Sequence, residues 1–261
     1  MFALIRIVYF CLVASCCSGA FAHTNQIRAS DTNLVSSHRS RDLPSPPESP
    51  TLAILPHEAL PATEPFALSS TSVATGEMST KWSELQSRIS ADEKMLETCR
   101  SDENTCSEAE RRFLSIVELA LKHEGRARLG WLNRAVNMSI KPASDWLQYG
   151  SADYWASPLQ TLGSGAGDCE DYAILKYVAL RAAGVDVDDL RLVIVQDDKR
   201  RTEHAVLAVR YEQKWLILDN LTMAIITAEN VRGYRPLFAL NSASAIAVAG
   251  VGPTQSKVIE E

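Results

Sequence analysis

Apolar residues at Trp82, Leu85, Ile89 and Leu96 recur at helical spacing and predict a helix that ends near Cys99. Ser107-Glu108-Ala109-Glu110 is a capping box, which starts a second helix running through Ile116, Leu119 and Ala120. A third helix is expected over Leu129 to Val136. From Asp145 to Leu162 the chain is aromatic-rich and irregular, with Trp146, Tyr149, Tyr154 and Trp155. A further helix starts at or near Cys169 and stops at Gly184, a residue suited to a left-handed cap. The period then shortens. Leu190 to Val195 is a β-branched run, followed by His204 to Tyr211 and Lys214 to Asp219 across Glu212-Gln213, and these predict strands of an antiparallel sheet. Helices first, then a cysteine-bearing helix, then a sheet make an α+β domain over residues 79–240. Residues 241–261, rich in Ala, Val and Ser, are expected to be a weakly patterned tail.

Composition changes the picture mainly at the N-terminus. Residues 1–22 read as an export signal: Arg6 is the only charge, Ile7 to Ala14 is apolar, and Ala20-Phe21-Ala22 has the small-x-small form of a cleavage site before His23. Val13-Ala14-Ser15-Cys16 also resembles a lipoprotein box, which leaves lipid anchoring through Cys16 as an alternative to a soluble periplasmic form. Residues 23–78 are expected to be a flexible tether, because seven of the eleven prolines fall between Pro44 and Pro65. Net charge is −6, with Lys and Arg scattered along the chain, so nucleic-acid binding through a basic patch has little support. No apolar run beyond the N-terminus approaches the roughly 20 residues that span a bilayer.

Gly167-Asp168-Cys169-Glu170-Asp171-Tyr172 places a cysteine at a helix start, where unpaired N–H groups and the helix dipole favour a thiolate. The alternative is a buried cysteine acting as a small hydrophobe. Removal of the signal leaves Cys99, Cys106 and Cys169. A disulfide across the Ser101 to Asn104 loop would make Cys169 the odd thiol, whereas unpaired cysteines on adjacent helices would not. A thiol nucleophile needs a base and a group to orient that base. His23, His38 and His57 lie in the tether and His123 near a helix end, so His204 is the histidine on a strand downstream of Cys169. If Tyr211 pairs with Lys214, Val206 lies opposite Asp219, and His204 and Asp219 become diagonal neighbours roughly 7–8 Å apart at the backbone. A one-residue slip in register would separate them.

Asp153-Tyr154-Trp155-Ala156-Ser157-Pro158, Gly167-Asp168-Cys169-Glu170-Asp171-Tyr172-Ala173-Ile174-Leu175-Lys176-Tyr177, Glu203-His204-Ala205-Val206-Leu207 and Leu218-Asp219-Asn220 together resemble the bacterial transglutaminase-like cysteine peptidases. The periplasmic LapG-type adhesin proteases are among these. The likeness covers about Lys81 to Phe238. It implies a papain-like, transglutaminase-type core with Cys169 as nucleophile, His204 as general base and Asp219 as orienting carboxylate. It also implies Ca²⁺ beside the nucleophile, with Asp168, Glu170 and Asp171 at the matching acidic positions and carbonyls and waters completing the shell. Three acids around one thiol oppose thiolate formation unless a cation offsets them, although acids at a helix start also complement its dipole.

The implied reaction is thiol-mediated acyl transfer, with peptide hydrolysis as its outcome. The substrate would be a surface or periplasmic protein such as a biofilm adhesin, and an inner-membrane receptor that senses cyclic-di-GMP would be a regulatory partner. Transfer to an amine, as in a true transglutaminase, and a non-catalytic calcium-dependent binding module are the rival readings. The backbone N–H of Cys169 and a side chain of the aromatic-rich segment are the candidate oxyanion donors.

Overall fold

The apolar stripe that opens the ordered region becomes α1 (Glu77–Ser101), which buries Trp82, Leu85, Ile89, Leu96 and Cys99. The computed structural model describes residues 64–68, 71–73, 76–241 and 245–247. The expected export segment, the tether through residue 63 and the tail beyond residue 247 lie outside the described residues. Cys99 and Cys106 form a disulfide that joins the end of α1 to the start of α2 (Glu108–Leu121). Both halves of the Ser107–Glu110 capping box are present, so two donors at the start of α2 are satisfied reciprocally. α3 (Gly125–Ser139) follows and buries Leu129, Leu132 and Val136.

The stretch expected to be irregular contains two short helices, α4 (Asp145–Tyr149) and α5 (Pro158–Ser164). α5 has its own capping box, Ser157 with Gln160, and a proline in its first turn, where the missing N–H is harmless. Aromatic content masked this signal. Two-residue strands flank the pair: β2 (Lys141–Pro142) runs parallel to β3 (Ala166–Gly167) and fixes the loop that enters α6 (Cys169–Ala182). Every residue of α6 from Asp171 to Leu180 is buried, because helices pack on one side and the sheet on the other. Gly184, at φ 85°, ends the segment in the expected left-handed conformation.

Among the described residues the main sheet has seven antiparallel strands. Its members are β4 (Leu190–Asp197), β5 (Thr202–Tyr211), β6 (Lys214–Leu218), β7 (Ile226–Thr227), β8 (Tyr234–Leu240), β9 (Ala245–Ala247) and, from the N-terminal side, β1 (Thr71–Val73), in the order β1-β9-β8-β4-β5-β6-β7. Tyr211 pairs with Lys214 as expected, across a two-residue turn in which Glu212 and Gln213 both have positive φ, 48° and 62°. One face, with Leu192, Ile194, Leu207 and Leu218, packs on the helices. The other, with Val193, Val195, Val206, Ala208 and Ile217, is covered by Leu68 and Ala228.

Two sequence expectations are corrected here. The tether was expected to reach residue 78, yet Pro65–Ala67 forms a 3₁₀ turn, Leu68 is buried on the sheet, and β1 pairs with β9. Glu64 forms a buried, two-pronged ion pair with Arg191 of β4, at 2.8 and 3.0 Å. Proline density reports local geometry and is blind to such long-range partners. At the other end, β9 forms within residues 241–261, which were expected to be a weakly patterned tail.

Candidate active site

α6 begins directly after its N-cap residue Asp168, so Cys169 occupies the first helical position. Its thiol is free and half-buried. Sγ donates to Glu170 Oε2 at 3.1 Å. Burial pushes the thiol pKa upward, and the Glu170 carboxylate beside it pushes further in the same direction. The backbone N–H of Ala205 acts against both effects, which places the thiol against the strand residue that follows His204.

His204 and Asp219 are both buried, and His204 Nε2 lies 2.9 Å from Asp219 Oδ1. The predicted hairpin register thus brings these two side chains into contact. Asp219 accepts two more hydrogen bonds, from the Leu221 N–H at 3.0 Å and from the Tyr234 hydroxyl at 2.7 Å. Burial alone would raise the Asp219 pKa, but these donors and His204 outweigh it and hold the carboxyl below its ordinary range. The Tyr234 ring also meets the His204 ring edge-on, with centroids 5.5 Å apart. Tyr234 is a site residue that sequence reasoning missed. It stands at the start of β8, with no fixed spacing to any other member.

The acidic residues divide into two groups. Asp145, Asp168 and Glu170 bring one oxygen each within 4.8 Å of one another. Asp171, expected among the metal ligands, is not in that group: it is fully buried, its Oδ1 accepts the Ala156 N–H at 2.9 Å, and its Oδ2 has no hydrogen-bond partner among the described residues. Asp171 lies in the first turn of α6 and, through the Ala156 bond, holds the segment before α5. Asp145, which marked only the start of the aromatic-rich stretch in the sequence, stands in the group instead. Its Oδ2 accepts the Tyr154 N–H, so it also fixes the aromatic-rich segment.

Burial, and then the neighbouring carboxylates, raise the pKa of all four acids, with Asp145 near 6 and Asp171 near 7. Asp145 Oδ1 and Asp168 Oδ1 are buried with no hydrogen-bond partner among the described residues. Orphaned, converging hard oxygens suit a cation such as Ca²⁺, and backbone carbonyls and waters would bring the coordination to its usual number. Gly167 makes this packing possible, because a Cβ there would sit 2.6 Å from Asp171 Oδ2.

A helix-borne thiol packed against an antiparallel sheet that carries a buried imidazole–carboxylate pair is an architecture of thiol-dependent acyl-transfer enzymes. Residues 87–239, more than half of the chain, match the bacterial transglutaminase-like cysteine proteinases, and the chain belongs to that family. It is a transglutaminase-like cysteine peptidase. No curated protein sequence matches it. Among solved structures it is similar to calcium-bound Legionella pneumophila LapG, with 27% identity, a TM-score of 0.50, and coverage of 63% of this chain and 91% of that one. A second structure of Legionella pneumophila LapG matches at 28% identity and a TM-score of 0.49, over 59% of this chain and 86% of the other.

Proposed function

We propose that this peptidase cleaves an exported or surface protein through a Cys169–His204–Asp219 triad. The carrying observation is the buried 2.9 Å contact between His204 Nε2 and Asp219 Oδ1 on the strand whose backbone touches the Cys169 thiol. Asp219 is held ionised, so it can only accept, and the proton of His204 belongs on Nε2. Nδ1 then keeps its lone pair and can take the thiol proton. Sγ attacks the peptide carbonyl, and the Cys169 backbone N–H at the helix start is the candidate donor to the oxyanion. Nδ1–H next protonates the departing amine, and water releases the acyl group with His204 as base.

In the resting arrangement the thiol bonds Glu170 and not His204. Asp145, Asp168 and Glu170 are the residues that would hold Ca²⁺, and the calcium-bound state of the LapG relative supports that reading. Its contribution when bound is electrostatic, namely the neutralisation of the carboxylates that disfavour a thiolate. On this reading Asp168 and Glu170 are ligands, and Asp171, which accepts the Ala156 N–H, positions the segment around that residue.

The export signal over residues 1–22 supports a periplasmic setting, and the tether would give the domain reach. A large adhesin as substrate and a cyclic-di-GMP-sensing receptor as regulator follow from the likeness to LapG-type proteases. Among the described residues no helix is long and apolar enough to cross a membrane. Comparing the surface and released proteins of cells carrying wild type or Cys169→Ala tests the reading. A protein shortened or released only with wild type is expected. Identical profiles from folded protein in both strains would refute it.

A further inference from the structure

A pocket of about 310 Å³ adjoins the imidazole–carboxylate pair, with Asp219 and Tyr234 in its wall. Its apolar surface includes Ile217, Leu221 and Ile226, and three cations, Lys199, Arg200 and Arg232, surround it. The two acids that line it are already engaged. Asp219 is bound by His204, Tyr234 and the Leu221 N–H. Asp197 Oδ1 accepts the backbone N–H groups of Lys199 and Arg200, and its Oδ2 lies 3.8 Å from Arg200 Nε.

The cations are much less committed. The Arg200 side chain is 53% exposed. Arg232 donates to the Glu229 carbonyl at 3.0 Å, and Lys199 has no ion-pair partner among the described residues. A rim of three cations with its acids internally satisfied carries surplus positive charge, in a chain whose overall charge is −6.

The position of the pocket indicates what it meets. His204 gives its proton to the departing amine, so the part of the substrate beyond the scissile bond must run along the His204 side of the site. Asp219 and Tyr234 both touch His204 and both line the pocket. We propose that this pocket is a specificity subsite for an acidic side chain, flanked by apolar residues, on the C-terminal side of the scissile bond, with Lys199, Arg200 and Arg232 selecting the charge. This assignment rests on the proteolysis reading above.

Two arms test it on the full chain. In the first, fluorescein-labelled peptides alternating Leu with Glu, or Leu with Lys, are titrated into the Cys169→Ala protein. Exposed charge pairs predict about fivefold tighter binding of the Glu peptide at low salt, with the preference shrinking as salt rises. Arg200→Glu/Arg232→Glu should reverse the preference, and Lys199→Glu, at a residue without an ion-pair partner, should reduce it if the double variant does not fold. In the second arm a peptide library is cleaved by wild type and the new N-termini are sequenced by mass spectrometry. Asp or Glu should be enriched among the first few residues after the cut, and the enrichment should be lost in the folded variant. Equal binding of both peptides, unchanged preference in the variants, or enrichment only before the cut overturns the proposal. Absence of all cleavage would instead count against the proteolysis reading, and the binding arm would still decide the subsite.

Discussion

Asp219 accepts three hydrogen bonds, and each acts on how firmly His204 is oriented. Tyr234→Phe removes one of them without emptying the site. It should lower kcat several-fold and stability by about 1 kcal/mol, as measured by peptide cleavage and urea denaturation. The pH dependence has a definite sign. The folded-state pKa of Asp219 lies below the ordinary 3.8, so its stabilising contribution is present above that value and is lost as pH falls through the depressed one. The stability gap between wild type and Asp219→Asn should therefore be widest near neutrality and close below pH 3.8. Gly167→Ala would press a methyl group within 2.7 Å of Asp171 Cβ. A loss of about 1–3 kcal/mol and of most activity is expected, because the displaced turn carries the nucleophile. The place of Cys169 at a helix start and the contact of His204 with Asp219 were legible in the sequence through helix-start context and strand alternation. Tyr234 and Asp145 were not, since each reaches the site through tertiary packing that no local spacing records.

At the scale of elements, local signals were read well and edges poorly. The α1 stripe, the Ser107 capping box and the β5–β6 hairpin each carry a period or a turn that short-range physics dictates. α4 and α5 are too short to display a period, and β1, at the sheet edge, and its neighbour β9 are three-residue strands formed only because the sheet offers them a partner. The Glu64–Arg191 pair anchors the N-terminal segment on β4 across 127 residues of sequence. Arg191→Leu alone leaves Glu64 buried and unpaired, a loss of about 3 kcal/mol, whereas Arg191→Leu with Glu64→Leu should be much closer to wild type. Denaturant midpoints of the two variants check this, and equal losses would show that the pair acts through something other than charge. The disulfide spans seven positions between α1 and α2, so replacing both cysteines with Ala should cost about 2 kcal/mol and leave Cys169 chemistry unchanged.

For the whole molecule, the acidic cluster joins residues of α4 and of the start of α6, so the proposed binding of Ca²⁺ there would be linked to folding. A ligand that binds only the folded state raises its stability. Ca²⁺ should accordingly raise the melting temperature, and Asp145→Asn/Asp168→Asn should abolish the rise. Asp145 without a cation titrates near 6, so protons should compete and the rise should fade as pH drops through that value. Calorimetry at neutral and mildly acidic pH reads both effects. In the proposed mechanism His204 is the base that activates the Cys169 thiol. The most direct measurement is the rate at which iodoacetamide alkylates Cys169, followed by intact mass and peptide mapping, in calcium-replete wild type and His204→Ala. A single adduct on Cys169 is predicted, forming at least tenfold faster in wild type than in the folded His204→Ala protein. An inert Cys169, or equal rates in the two proteins, would contradict the account.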